Sequence, residues 1–288
     1  MERTLGEYEV HVAREGFSSI RHRPSGEIMH SRTPPMDEAR SLYVEQSGLR
    51  ERLGRGPVTL WDVGLGAAAN AMAAIECHQD LGSAAQPLRI VSFENDLDSL
   101  RLAIGNAAAF PYLQHPAPRS ILENGKWRGA GVEWELVFGD FEKTLQSAQG
   151  PPGIIFYDMY SSATVPGPWT QETLRRLHER CEDCATELFT YTVSTAVRAK
   201  MLAAGWFVAR GRNAGAKGET SIALTAAAAK ERRRDLLGRE WLEKWERSAA
   251  RIPGEIPPEE RTAFEAAIRG HIQFRNLQED ARPAERAE

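Results

Sequence analysis

Along this chain, short apolar runs closed by turn-forming residues alternate with stretches in which apolar positions recur at helical spacing. From Val58 onward the runs Val58–Val63, Leu88–Phe93, Val132–Phe138, Ile154–Tyr157 and Glu187–Tyr191 read as strands. The segments 68–79, 96–109, 141–148, 170–181 and 194–204 between or after them have the length and composition of crossover helices. Strand, turn and helix repeated in this order predict parallel βα units. The rhythm then breaks. Trp206–Arg212 and Thr220–Thr225 flank Asn213-Ala214-Gly215-Ala216-Lys217-Gly218, a turn-rich connection too short for a helix, so the spacing predicts an antiparallel hairpin.

Additions are expected at both ends of this core. Within residues 6–30, Tyr8–Val12, Phe17–His22 and Gly26–His30 are short and turn-punctuated, as in a small β-meander. Asp37 can cap or charge a following helix in which Ala39, Leu42, Tyr43, Gln46 and Leu49 share a face, up to the break Gly54-Arg55-Gly56-Pro57. Beyond Ala226 the chain is highly charged over Lys230–Arg251, breaks at the Pro-rich stretch Ile252–Pro258, and resumes as a helix over Glu259–Leu277, with the tail Gln278–Glu288 expected to fray. The expected units are 1–56, meander and helix; 57–226, the α/β core; and 227–288, a helical extension.

A chain of 288 residues is long enough to bury a cofactor in such a core. The formal charge of -4 gives no global attraction to polyanions, so a nucleic-acid partner would need a local basic face. Arg232, Arg233, Arg234, Arg239, Lys244, Arg247 and Arg251 could supply one, but the interleaved Glu231, Asp235, Glu240, Glu243 and Glu246 favour a solvated helix face. With 3 cysteines and no long apolar run, a reducing, cytoplasmic setting and no membrane partner are expected. His178, Cys181 and Cys184 have suggestive spacing but no fourth ligand, and no metal is expected.

The candidate chemistry lies at successive strand ends. Asp62-Val63-Gly64-Leu65-Gly66 falls where the first strand meets the first crossover helix, where open α/β sheets bind ligands and glycine lets backbone approach a bulky cofactor. Gly64-Leu65-Gly66-Ala67-Ala68-Ala69 also satisfies a relaxed dinucleotide fingerprint, or simply a tight turn. Glu94 follows the next strand and can accept both hydroxyls of a ribose, or charge the next helix start. Asp140, after the third, can accept from an adenine amine, with Phe141 beside the ring. Together they indicate a nucleoside cofactor. By fold-level analogy the terminal hairpin favours S-adenosylmethionine (SAM) over NAD, whose domains keep their strands parallel.

With these residues assembled, the chain resembles the methyltransferase domain of the MnmC family over roughly residues 8–225. Tyr157-Asp158-Met159-Tyr160 continuing to Val165-Pro166-Gly167-Pro168-Trp169 is similar to the family's Asp-aromatic segment with Asn-Pro and Trp, aligning Asp158, Tyr160, Pro166 and Trp169. Gly26-Glu27, His30-Ser31, Glu38 and Tyr43-Val44 resemble its N-terminal segment, and Gly64, Gly66 and Asn70 match its cofactor loop. Ala68 and Met159 replace glycines, and Ser162 and Val165 replace a proline and an asparagine; the Ala68 Cβ is expected to narrow the loop.

The resemblance implies a Rossmann-like SAM-dependent methyltransferase, without the FAD-dependent oxidase domain of larger members, that completes 5-methylaminomethyl-2-thiouridine at the tRNA wobble position. Asp158 would then accept a hydrogen bond from the acceptor amine, orient it and help carry its proton away. Tyr160 and Trp169 could stack on a flipped-out uracil, although Trp169 could equally be a core residue at a helix start. Open alternatives are a SAM enzyme acting on a small-molecule acceptor, a non-catalytic binding protein of the same fold, and an NAD oxidoreductase.

Overall fold

The computed structural model describes residues 3–30, 32–212 and 219–279. The connection Asn213–Gly218, Ser31 and the tail from residue 280 lie outside them. Among the described residues the first sheet is an antiparallel meander of β1 (Thr4–Leu5), β2 (Tyr8–Val12) and β3 (Ser18–His22), in which Val10 pairs with Ile20. One uninterrupted helix does not follow. Helix α1 (Pro35–Ala39) runs into a widened π turn (Arg40–Glu45), and Gly48, at φ 66, breaks the chain before α2 (Leu49–Arg55). The Gln46 side chain, which accepts from the Thr220 hydroxyl at 3.1 Å, ties this segment to the far sheet.

The second sheet contains β4 (Val58–Val63), β5 (Leu88–Glu94), β6 (Lys126–Gly129), β7 (Val132–Phe138), β8 (Ile154–Tyr157), β9 (Glu187–Thr190), β10 (Phe207–Gly211), β11 (Thr220–Leu224) and β12 (Asp235–Leu236). Its order is β12-β10-β11-β9-β8-β4-β5-β7-β6. The strands β7, β5, β4, β8 and β9 are parallel, whereas β11 enters antiparallel between β9 and β10. The expected hairpin is therefore present, and it inserts one antiparallel strand.

Helices α3 (Ala69–Leu81), α4 (Asp98–Gly105), α5 (Pro116–Asn124), α6 (Phe141–Thr144), α7 (Gln171–Cys181) and α8 (Thr195–Ala203) cover the two faces. Alternation along each strand divides the core between them. Leu60, Ile90, Phe156 and Phe189 belong to one buried cluster, with Tyr8, Ile20, Leu42 and Tyr43 from the N-terminal segment. Their neighbours Trp61, Val91, Ile155 and Leu188 belong to the other, which also takes Trp241, Trp245, Ile256, Phe264, Ile268 and Phe274. The charged C-terminal stretch thus carries an apolar stripe that packs on the sheet.

That stretch forms α9 (Ala226–Glu231), α10 (Arg239–Glu246), α11 (Arg261–Arg269) and α12 (Ile272–Glu279); Gly270 splits the single helix expected over 259–277. Gln273 continues the edge of β10 where β12 stops, since its amide donates to the Val208 and Leu237 carbonyls, both at 2.8 Å, and accepts from the Val208 N–H.

Candidate active site

A cavity of about 890 Å³ opens at the carboxyl ends of β4, β5 and β8. This is the switch point of the sheet, where the chain runs from β4 to β5 on one side and returns after β7 to β8 on the other. The loop after β4 is shaped by close approach. Gly64 has φ 92, and a Cβ there would lie 2.6 Å from the backbone oxygen of Asp158, because the ends of β4 and β8 converge. Gly66, at φ 51, faces the Met29 sulfur of the N-terminal segment. Ser99 and Tyr112 hydroxyls brace the loop by donating to the carbonyls of Gly66 and Ala67 at 3.2 and 3.1 Å.

Ala68 is the N-cap of α3 and adopts φ 65, a left-handed conformation that a Cβ disfavours by about 1–2 kcal/mol. Its methyl is fully buried in the core, while its neighbours Ala67 and Ala69 line the cavity. The expected narrowing of the loop is thus absent: Ala68 strains the turn without reaching the cavity.

Glu94 lines the cavity and organises its rim. One carboxylate oxygen accepts from the Gly66 N–H at 3.0 Å, the other from the Asn95 and Asp96 N–H groups at 2.9 and 3.2 Å. Burial raises its pKa, and the three backbone N–H donors limit the rise. Asn70 and Asp158 meet across the cavity floor, the Asn70 amide donating to the Asp158 carboxylate at 2.8 Å. Burial also pushes the Asp158 carboxyl up, against the opposing pull of His30 and Asn70.

Several of the sequence-derived residues stand elsewhere. Asp62 is fully buried behind the loop, where it accepts from the Ser92 hydroxyl at 2.7 Å, and Ser92 in turn accepts from the Trp134 indole at 2.9 Å. Burial pushes the Asp62 pKa up to about 8, against the opposing pull of the Ser92 hydrogen bond. Asp140 and Phe141 line an adjoining cleft of about 70 Å³ that shares Glu94, Asn95, Met159 and Val165 with the main cavity. The Asp140 carboxylate accepts from Asn95 at 3.0 Å and pairs with Lys143 at 2.5 Å, and Lys143 draws its pKa down. Phe141 is 3% exposed, edge-on to Phe93 and Tyr157.

Tyr160 does line the cavity, beside His22 at a ring separation of 5.5 Å, with its buried hydroxyl unpaired among the described residues. Trp169 does not. It is 1% exposed, packs edge-on to Tyr157, and donates its indole N–H to the Tyr160 carbonyl at 2.7 Å. Its place is the core behind Tyr160, and a stacking role on a base is excluded by burial.

The remaining wall comes from residues to which the sequence assigned no chemistry. His30, Glu38 and Tyr191 line the cavity. Tyr43, buried in the π turn, lies close enough to Asp158 for that carboxylate to raise its already burial-raised pKa. Glu27 accepts from the Ser161 N–H and hydroxyl, both at 3.0 Å, and from the Thr164 hydroxyl at 2.7 Å, clasping the meander to the loop after β8. For Glu27, His30, Glu38 and Tyr43 the only sequence signal was the resemblance of the N-terminal segment, and Tyr191 had none; the Glu27 contacts join residues far apart in the chain.

The basic run lies at the other end of the sheet. Glu187, at the start of β9, is fully buried and pairs with Arg52 and, at 2.6 Å, with Arg234, while Arg232 stands 3.9 Å away. Arg239 pairs with Glu243, and Arg251 with Glu265. Among the described residues no group of His, Cys, Asp and Glu is arranged to hold a metal, and no helix is long and apolar enough to cross a membrane.

A glycine loop, an acid after the next strand and a cavity at the switch point are thus brought together on a sheet into which a terminal hairpin inserts an antiparallel strand. Residues 104–226 match the family described as S-adenosyl-L-methionine-dependent methyltransferase. The crystal structure of MNMC2 from Aquifex aeolicus shares the fold, with a TM-score of 0.69 and 20% identity over 93% of this chain and 85% of that one. Human methyltransferase-like protein 13 in complex with SAH gives a TM-score of 0.36 at 14% identity over 88% of this chain and 93% of that one. Podospora anserina PaMTH1, also SAH-bound, gives 0.29 at 16% over 82% and 67%. None of the curated proteins matches. Residues 104–226 thus match a SAM-dependent methyltransferase family, the chain has the fold of MNMC2, and the inserted antiparallel strand sets it apart from the parallel sheets of NAD domains.

Proposed function

We propose that this protein transfers a methyl group from SAM to the 5-aminomethyl group of the wobble uridine of tRNA, giving 5-methylaminomethyl(-2-thio)uridine. The observation that carries the reading is the Asp158 carboxylate, held by Asn70 in the wall of a cavity whose charged lining is mainly acidic: Glu7, Glu27, Glu38, Glu94, Asp96 and Asp158. Such a lining suits a donor with a sulfonium charge and an acceptor that arrives as an ammonium.

The residues present fit the donor. Gly64 and Gly66, which line the cavity, would lie against its methionine part, Glu94 would accept the ribose hydroxyls, and the adjoining cleft at Asp140 and Phe141 would take the adenine. Bound there, SAM supplies an electrophilic methyl carbon. The protein's part is to align an amine with it, exclude water and leave the nitrogen lone pair free. Asp158 would accept a hydrogen bond from the amine and balance its charge, while Tyr160, backed by Trp169, would hold the base. At about 890 Å³ the cavity lies toward the upper end of the range of ligand pockets, which suits a nucleoside bound beside the donor.

Nucleoside analysis of tRNA from cells lacking the protein tests this directly. The methylated wobble uridine should disappear and its 5-aminomethyl precursor accumulate. Unchanged tRNA, together with methylation of a small amine by the purified protein, would replace the nucleoside acceptor by a small molecule.

A further inference from the structure

We propose that His30, oriented by Glu38, is the group that removes the proton from the acceptor's ammonium before methyl transfer. The inference rests on the reading of the acceptor as an aminomethyl nucleoside. Such an amine resembles a lysine side chain, with a pKa near 10, so at neutral pH roughly one molecule in a thousand is uncharged and able to attack. A base in the wall must therefore take the proton, and its side chain has to be fixed, reachable from the cavity and free to accept.

His30 meets these conditions. Its backbone is pinned to the meander, since its N–H donates to the Ser19 hydroxyl and the Met29 N–H to the Ile20 carbonyl, both at 3.0 Å. The ring is buried yet lines the cavity. Its Nδ1 faces a Glu38 carboxylate oxygen at 3.6 Å, an ion-pair rather than a hydrogen-bond distance. Its Nε2 has no partner among the described residues. With the proton of the neutral ring on Nδ1, toward Glu38, Nε2 carries the free lone pair. The amine N–H bond breaks, the proton forms a new bond to Nε2, and the electron pair stays on the amine nitrogen. The resulting imidazolium is favoured by two carboxylates, Glu38 beside it and Asp158.

Burial alone would lower the His30 pKa, but Glu38 and then Asp158 outweigh it, and the net direction is upward. This moves the base toward the ammonium it has to deprotonate. The other titratable groups of this wall are Tyr191 after β9 and Glu27 and Arg32 from the same loop as His30, with Tyr43 of the π turn buried beside Asp158 and Glu38. Asp158 is the less suited base because one of its oxygens is already engaged by Asn70.

The test compares the full-length protein with His30→Gln and Glu38→Gln in single-turnover methylation of aminomethyl-bearing tRNA, from about pH 6 to about pH 10, where the amine loses its own proton. His30→Gln should be slower by about a hundredfold near neutrality, the scale of a lost general base, and recover to within about threefold at the alkaline end. Its affinity for S-adenosylhomocysteine, measured by calorimetry, should be unchanged. In Glu38→Gln the acidic limb of the rate profile should move to lower pH, and the His30 ring resonance, followed by NMR, should titrate lower by the same amount. A His30→Gln defect of constant size at every pH, or none, overturns the inference alone. A wild-type protein that leaves aminomethyl-tRNA unmethylated overturns the functional reading and the inference with it, and NMR then shows whether the His30–Glu38 coupling stands as structure only.

Discussion

Glu94 holds the loop and faces the cavity with the same carboxylate, so two effects are superimposed in any variant there. Glu94→Ala removes the proposed ribose partner and frees the Gly66 N–H. Losing the hydroxyl contacts alone costs about 2–3 kcal/mol, so SAM affinity should fall about thirtyfold to hundredfold in a protein that still folds, as calorimetry can measure. Unchanged affinity would remove Glu94 from the donor site. Asp158 lies on the acceptor side and should behave differently. Asn in its place keeps the shape and one acceptor oxygen but cannot hold negative charge. Asp158→Asn should leave SAM affinity within about threefold and lower turnover by about a hundredfold or more. Near-normal turnover would leave amine positioning to the surrounding wall.

At the level of elements, what could be read from the sequence is what depends on local pattern. The strands β4, β5, β7, β8 and β9 announce themselves as apolar runs closed by turns, and the hairpin by a connection too short for a helix. That Gly64, Gly66 and Glu94 line the cavity was legible for the same reason, since the crevice of such a sheet opens at its strand ends. The edge strands β6 and β12 were not, because a short edge strand keeps a polar face and lacks the apolar signature. The π turn was equally hidden, since it shares the helical composition around it. At the site, an aromatic at a helix start can face a cavity or a core, and only packing decided that Trp169 faces the core.

The clasp made by Glu27 was invisible for another reason: it joins the meander to Ser161 and Thr164, far away in sequence. Glu27→Ala should loosen that wall while leaving the glycine loop untouched. The acceptor Michaelis constant should rise about tenfold, the effect of losing about 1.4 kcal/mol of positioning, with SAM affinity unchanged within about twofold. Equal losses in both would show that the clasp supports the whole cavity instead.

Across the whole molecule the two additions serve opposite ends and faces: the N-terminal segment walls the cavity, and the C-terminal segment completes the second core. This division decides how the basic run is used. Gripping RNA would require its arginines to be free and near the cavity, yet Arg234 ion-pairs with the buried Glu187 at the opposite end of the sheet, its guanidinium over the Phe189 ring at 5.4 Å. Removing one partner of a buried pair leaves an uncompensated charge, but here Arg52 and Arg232 remain nearby, so the cost should be below that of an isolated pair. Arg234→Met should therefore lower unfolding stability by about 1–3 kcal/mol, read from denaturant midpoints, and Glu187→Gln in the same chain should recover part of it. The salt dependence of tRNA binding should match that of the wild type, because no phosphate contact is lost. A variant of unaltered stability but flatter salt dependence would instead place the RNA backbone along this end of the sheet and require a path from there to the cavity.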